Sequence, residues 1–350
     1  MIARAKAVIR PAILRHERLT RVLKTVRRTG RATARRVRWA FRPPGRYPTD
    51  FVTGGSRRRI GAVWPSPPEI TQPFSAATAP QPTGRPAAYD LALFEQLNAE
   101  YADEPVQPTA PKYDQESITA RSRWRISSIH DQIDLGGKAV LEVGCGAGYE
   151  VWYLDRHFGC DAWGIDITPR RAWDTLRSER VHLVEGDIAV PGTLPADTFD
   201  RVISFTVWEH ITHPLGAITE LERVMKPGGL AWIRANLYRG PTSSHRTRDV
   251  YFPFPHLLFA DAVIDEAMRR AGRPAGGSAW VNRLTWEQYE AAFLAAGFAI
   301  RALKFTLYPL DEVFYDRFED ILGRYPKQDL ERGFFQVVLE KPRRRRSPRR

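Results

Sequence analysis

Residues 140–150 read VLEVGCGAGYE, an apolar run that ends on one acid, Glu142, and then drops into three glycines spaced two apart, Gly144, Gly146 and Gly148. The apolar run suits a buried strand, and the spacing from Tyr149 onward suits a helix. A strand that turns on glycines into a helix places backbone amides and the positive end of the helix beside a ligand. Glycine serves there because a Cβ would block close approach or forbid the backbone angles. A plain strand-to-helix turn also needs glycine, so the loop alone leaves both readings open.

The surrounding sequence decides between them. From Lys138, β-type and helical runs alternate: AVLEVG, YEVWYLDRHF, DAWGIDI, PRRAWDTLRS, RVHLVEGDI, FDRVISFT, PLGAITELERVM and GLAWIRAN. That alternation predicts an α/β fold, a Rossmann-like and mostly parallel sheet with helices on both faces. Asp166 closes the second predicted strand, 18 residues beyond Gly148, where a carboxylate can accept from two ribose hydroxyls. Asp187, in EGDI, stands at the end of the next strand, on the same crevice. The loop is G-x-G-x-G rather than G-x-G-x-x-G, with Glu142 just before it. An acid there disfavours a pyrophosphate and suits the cationic amino group of an amino-acid-bearing cofactor.

VLEVGCGAGYE, GIDIT, VEGDI, FDRVISFTVWEHI and LERVMKPGGLAWI, in that order and at those spacings, resemble the class I S-adenosylmethionine-dependent methyltransferases of the type 11-like branch. The resemblance covers about residues 138–236. It implies a seven-stranded sheet with a reversed terminal hairpin and S-adenosylmethionine seated across the ends of strands one to four. By motif position it implies Glu142, Gly144, Cys145, Gly146 and Gly148 at the methionine part and Asp166, with Ile167, at the ribose. Asp187 with Ile188 would meet the adenine, and Phe205 with Thr206 the region beside the sulfonium. Lys226-Pro227-Gly228-Gly229 would be the turn before strand five.

Transfer of a methyl group from a sulfonium is an in-line displacement from an activated leaving group, so the protein aligns the nucleophile and removes its proton. His210 and Glu209, in WEHI, and His245, in a polar stretch of the insertion after strand five, are the candidate catalytic residues. The insertion, residues 236–284, starts at a strand's carboxyl end and concentrates His245, Arg246, Arg248, Asp249, Tyr251 and His256. The insertion can close over the crevice, or be an ordered lid whose FPFPHLLF run only packs on the sheet; Trp280, Trp286 and Tyr289 are candidates to line an acceptor pocket, although aromatics at such positions are more often core. The TSSHR and FPFPHLLF runs are also similar, over a short span, to methyltransferases of polysaccharide and sugar-conjugate pathways, which implies oxygen methylation of a sugar, glycan-linked or other small polar acceptor. His and Asp residues of this segment could take a divalent metal, but their spacing does not indicate one. Beyond it, a helix ending at Gly297, a strand, one helix over DEVFYDRFEDILGRY and a last strand over FFQVVLEKP complete the expected sheet.

Composition bounds the rest. Residues 1–60 carry 18 Lys+Arg against two acids and residues 341–350 carry seven with none, so of the net +13 the stretch 61–340 holds −10. Basic tails draw any polyanion by screenable attraction, and the acidic folded part argues against a specific nucleic-acid partner. We expect a basic, Pro-rich extension and linker over 1–86, a methyltransferase domain over 87–341 and a basic tail over 342–350. The acid-poor arm of the first 40 residues suits an anionic membrane surface, a solvated extension or an organelle transit peptide. Two cysteines, Cys145 and Cys160, fit neither a disulfide framework nor a zinc site, and no run approaches about 20 apolar residues, so a cytoplasmic location, with contact to the membrane face as an option, is expected. Two alternatives stand beside the enzyme of small acceptors: an RNA methyltransferase, and a cofactor-binding scaffold without turnover. Oligomeric state is left open.

Overall fold

The computed structural model describes residues 89–106, 114–273 and 281–343. The N-terminal extension, the linker, Trp280 and most of the basic tail lie outside the described residues.

Two helices lead in, α1 (Leu91–Glu100), capped by Asp90, and α2 (Gln115–Ile133), capped by Asp114. In each, the aspartate side chain accepts from the backbone amide three residues on, which satisfies one of the orphan donors of the first turn. Then come β1 (Ala139–Val143), α3 (Tyr149–Phe158), β2 (Asp161–Asp166), a single turn α4 (Trp173–Leu176), β3 (Val181–Glu185) and β4 (Phe199–Phe205). A 3-10 turn over Trp208–His210 leads to α5 (Pro214–Val224) and β5 (Met225–Asn236). The insertion holds α6 (Pro255–Leu258) and α7 (Asp261–Arg270). The chain closes with α8 (Trp286–Ala295), β6 (Ala299–Leu307), α9 (Glu312–Arg317), α10 (Glu319–Leu322), α11 (Lys327–Glu331) and β7 (Arg332–Glu340).

The seven strands order as β3-β2-β1-β4-β5-β7-β6, and β7 runs antiparallel to both its neighbours. This is the expected Rossmann-like sheet with a reversed terminal hairpin. Its strand order changes direction at β1, flanked by β2 and β4, so a crevice opens at the carboxyl ends of these three strands. Alternation along β1 sends Leu141 and Val143 into a core with α5 and α8, while Val140 packs with α2 and α3 on the other face. Each such buried aliphatic side chain contributes about 1.5–3 kcal/mol, so the two faces together anchor β1.

The insertion has its own core. Phe252, Phe254, Leu258 and Met268 pack with Phe94 and Leu97 of α1 and with Phe314, Phe318 and Leu322. The FPFPHLLF run therefore packs against helices from both ends of the domain rather than on the sheet. Asn98 ties the layer together, donating to Asp249 O at 2.9 Å and accepting from the Tyr251 amide at 2.8 Å.

Three local expectations are corrected. PRRAWDTLRS forms one helical turn, because Trp173 is drawn down onto the glycine loop and the chain re-enters the sheet at Val181. Lys226–Gly229 lies within β5, beside a register shift opposite Phe199 and Arg201, with Gly228 at φ 86°, so it is an irregularity in the strand and not the turn before it. DEVFYDRFEDILGRY breaks at Phe318, whose ring is drawn into the insertion's core. Trp286 and Tyr289, candidates for a pocket wall although aromatics at such positions are more often core, are core: they are buried against Phe335.

Candidate active site

Gly144 and Gly148 take φ of 75° and 83°, and the amides of Gly144 and Cys145 donate to Ile165 O at 2.8 and 3.2 Å, which fastens the loop to β2. A Cβ on Gly144 would stand 2.1 Å from Val207 Cγ2. Glycine at this position thus lets the segment after β4 press against the loop, and that contact sets the spacing between the two halves of the crevice. Gly146 differs: at φ 50°, its would-be Cβ meets nothing within 4 Å among the described residues. The loop is a cradle open at its centre. Cys145 turns inward, 4% exposed, against Gly164 of β2, so only its backbone faces the crevice.

Asp166 holds the loop from the side. Its two carboxylate oxygens accept from the amides of Gly146 (2.8 Å) and Thr168 (3.0 Å), and each keeps lone-pair capacity toward the crevice. Trp173 Nε1 donates to Gly146 O at 2.8 Å, completing the clamp. Next to Asp166, Ile167 is 71% exposed, an apolar side chain left bare at the crevice rim. Asp187 accepts from the Ala189 amide at 2.8 Å, whereas the Ile188 side chain is packed in the core and offers the crevice only its backbone. Thr206, at φ 51°, donates its amide to Arg234 O at 2.7 Å, and the Phe205 ring lies under the Arg125 guanidinium at 4.7 Å.

Glu142 is 3% exposed, and its Oε2 has no hydrogen-bond partner among the described residues. Burial, then the charge of Glu150, pushes its carboxyl well above the usual range, with Arg125 opposing and Asp166 adding to the rise. Arg125, on α2, pairs with Glu150 at 2.9 Å. A buried acid left without a partner is costly unless a cation or donor arrives.

The other wall follows β4. Trp208 is fully buried, and its carbonyl accepts from Asn282 Nδ2 (2.7 Å) and Tyr289 OH (3.1 Å), while Asn282 N donates to Glu209 O at 2.8 Å. Glu209, 3% exposed, has neither carboxylate oxygen in a well-formed hydrogen bond among the described residues. Burial raises its pKa to about 7, and the backbone amides of Glu209 and Asn236 lie near enough to oppose part of the rise. The rings of His210 and His245 meet edge-on with centroids 4.8 Å apart. Burial against the surrounding protein, then His210, lowers the pKa of His245 to about 4. The three candidate catalytic residues, drawn from two segments of the chain, thus converge. His256 is enclosed, its Nε2 2.6 Å from Tyr238 O, and it serves packing. Arg246 and Asp249 are engaged within the insertion, with Asp265 at 3.1 Å and Arg273 at 3.2 Å.

Sequence reading missed Trp173, Arg125 and Asn282. Only the tryptophan, the one aromatic in a largely polar stretch, carried any local signal. Asn282→Ala is expected to destabilise the fold by about 2–3 kcal/mol, since it strips donors from the buried carbonyls of Trp208 and Ile211. Chemical denaturation would measure it.

A mostly parallel sheet of this order, with an open glycine cradle, a clamping acid after β2 and a buried acid before the loop, defines a nucleotide-cofactor site of the class I methyltransferase kind. Residues 141–233 match the family described as Methyltransferase domain, and this part of the chain is a class I S-adenosylmethionine-dependent methyltransferase domain. The chain is 29% identical over 119 residues to a tRNA U34 carboxymethyltransferase of Idiomarina loihiensis, covering 31% of this chain and 36% of that protein. It is 32% identical over 129 residues to a ubiquinone biosynthesis O-methyltransferase of Dechloromonas aromatica, covering 34% and 53%. Among solved structures, an S-adenosylmethionine dependent methyltransferase from Mesorhizobium loti aligns over 63% of this chain and 97% of its own, at 16% identity and a TM-score of 0.42. The matches span between about a third and a half of these curated relatives.

The residues present fit that cofactor. The orphaned Glu142 oxygen suits an amino group, the space at Gly146 admits a ligand where a side chain would stand, and the bare Ile167 offers a flat base an apolar contact. No helix of the described residues is long and apolar enough to cross a membrane.

Proposed function

We propose that this protein transfers a methyl group from S-adenosylmethionine to a hydroxyl oxygen of a sugar, glycan-linked or other small polar acceptor. The observation that carries this reading is the convergence of Glu209 and His210, in the turn that follows Val207 at the glycine loop, with His245. S-adenosylmethionine supplies an electrophilic methyl group on a sulfonium. Glu142 would hold the amino group of its methionine part, Arg125 the carboxylate and Asp166 the ribose hydroxyls. The remaining requirement is a group that draws off the acceptor's proton as the new carbon–oxygen bond forms, and the Glu–His–His cluster supplies polar groups at that wall.

The relatives' names include both a tRNA U34 carboxymethyltransferase and O-methyltransferases of ubiquinone biosynthesis and of tocopherol. The net −10 of residues 61–340 favours the small acceptor, because a tRNA surface would be repelled by the folded part. Calorimetric titration of the full chain with S-adenosylhomocysteine comes first, then transfer from labelled S-adenosylmethionine to separate pools of small polar metabolites, glycans and tRNA. Label in the first two pools, stable to base and so not in an ester, supports the proposal. Label confined to tRNA would overturn the acceptor class, and a folded chain that does not bind the cofactor product would overturn the whole reading.

A further inference from the structure

We propose that Glu209, His210 and His245 bind a divalent transition-metal ion, and that the acceptor is held by that ion through two neighbouring oxygens. One ligand atom from each of the three residues lies within 4.8 Å of the others. An ion with bonds of about 2.0–2.1 Å needs donors roughly 3.3 Å apart, so the cluster must close by about 1.5 Å. His245 stands at the crevice wall, where a side-chain rotation can supply that movement. Two imidazoles and a carboxylate are a ligand set for zinc, manganese, cobalt or iron, and three protein ligands leave coordination positions open.

The state of Glu209 points the same way. A carboxylate nearly closed to solvent, with neither oxygen in a well-formed hydrogen bond among the described residues, calls for a cation within bonding distance; the Arg234 guanidinium and the amides of Glu209 and Asn236 act on it without such a bond, and two imidazoles stand beside it. The supports are in place. Asn282 N donates to Glu209 O, and the loop bearing His245 is tied to the end of β5 by Ser243 Oγ, which donates to Asn236 Oδ1 at 2.7 Å. His245 holds a left-handed backbone at φ 54°, a conformation that costs about 1–2 kcal/mol and is sustained here by its surroundings. Residues 35 positions apart meet at this point, which is why their spacing in the chain gives no metal signature.

Metal binding is independent of the proposed activity, whereas the diol-bearing acceptor rests on it. An ion with open positions beside the cofactor loop would chelate adjacent hydroxyls and acidify the one to be methylated, its proton leaving to water in the crevice. That chemistry selects acceptors with vicinal hydroxyls over isolated ones.

The test uses the full chain, stripped with a chelator and titrated with Co2+, reading the visible ligand-field absorption, with S-adenosylhomocysteine binding measured on the same samples. We expect one Co2+ per chain at this site, affinity lower by about 100-fold in His245→Gln and in Glu209→Gln, and unchanged S-adenosylhomocysteine binding in both. Both substitutions keep a side chain of similar size, and S-adenosylhomocysteine binding on the same samples reports whether each variant is folded. Co2+ binding that the two substitutions leave intact, or none by a chain that binds S-adenosylhomocysteine, would overturn the metal site and leave the methyltransferase reading standing. Substitution-sensitive Co2+ binding by a chain that does not bind S-adenosylhomocysteine would support the metal site and overturn that reading. Indifference between a vicinal diol and its mono-ol in Co2+ spectral perturbation would overturn the acceptor part.

Discussion

Gly146→Arg is expected to leave the chain folded and to weaken S-adenosylhomocysteine binding by about 100-fold or more, a loss of roughly 3 kcal/mol. The built Cβ at this position meets no atom within 4 Å among the described residues, so the side chain enters the cradle without displacing the fold. The backbone at φ 50° costs a non-glycine residue about 1–2 kcal/mol, which a melting curve would show as a modest shift. Gly144→Ala is the contrast. Its Cβ would fall 2.1 Å from Val207 Cγ2 and would have to push the Trp208–His210 turn away from the loop, so here stability and binding should fall together. A Gly146→Arg protein that binds with wild-type affinity would remove the loop from the cofactor site.

Glu142→Gln is expected to raise the melting temperature of the ligand-free protein while weakening S-adenosylhomocysteine binding by about 10–100-fold. The buried carboxyl has its pKa raised, chiefly by burial, and the folded state therefore keeps a proton that the unfolded chain releases above the ordinary value of 4.5. The sign follows: wild-type stability falls as pH rises from that value toward the folded pKa, because the unfolded chain binds fewer protons there. Glutamine does not titrate, so the variant's advantage should be small near the ordinary carboxylate value and grow toward neutral pH. Its loss in binding has a separate source, a charge-assisted hydrogen bond to an ammonium worth about 1.5–3 kcal/mol. A residue that destabilises the empty protein and stabilises the loaded one is the signature of a ligand site. Equal melting curves across pH, with unchanged affinity, would show that Glu142 is a core residue only.

The sequence carried the sheet legibly where local periodicity was strong. β1 through β4 fell where alternation placed them, and the helix from Tyr149 ended at Gly159 in the left-handed conformation that lets its cap close. It carried less where a distant partner overrode local preference. Trp173 shortens its helix because a carbonyl of the glycine loop claims its indole, and Phe318 splits another because the insertion's core claims its ring. Aromatic type alone left Trp286 and Tyr289 between core and pocket wall, since a half-polar ring can line a pocket or support a turn from behind; the structure puts both in the core. Tyr289 does the second, through its hydroxyl on Trp208 O.

The cofactor half of the site was written into the sequence by itself. A ligand held by backbone amides and by acids at strand ends depends on the residues nearest each turn, so Glu142, the glycines, Asp166 and Asp187 could be found by counting from one strand to the next. The acceptor half was decided by the tertiary structure. Glu209 and His210 reach His245 only because Gly144 lets the turn after β4 close on the loop, Asn282 and Tyr289 hold that turn from behind, and a separate helical core fixes the insertion that bears His245. Convergence of side chains from distant segments is set by packing, and packing leaves no period along the chain.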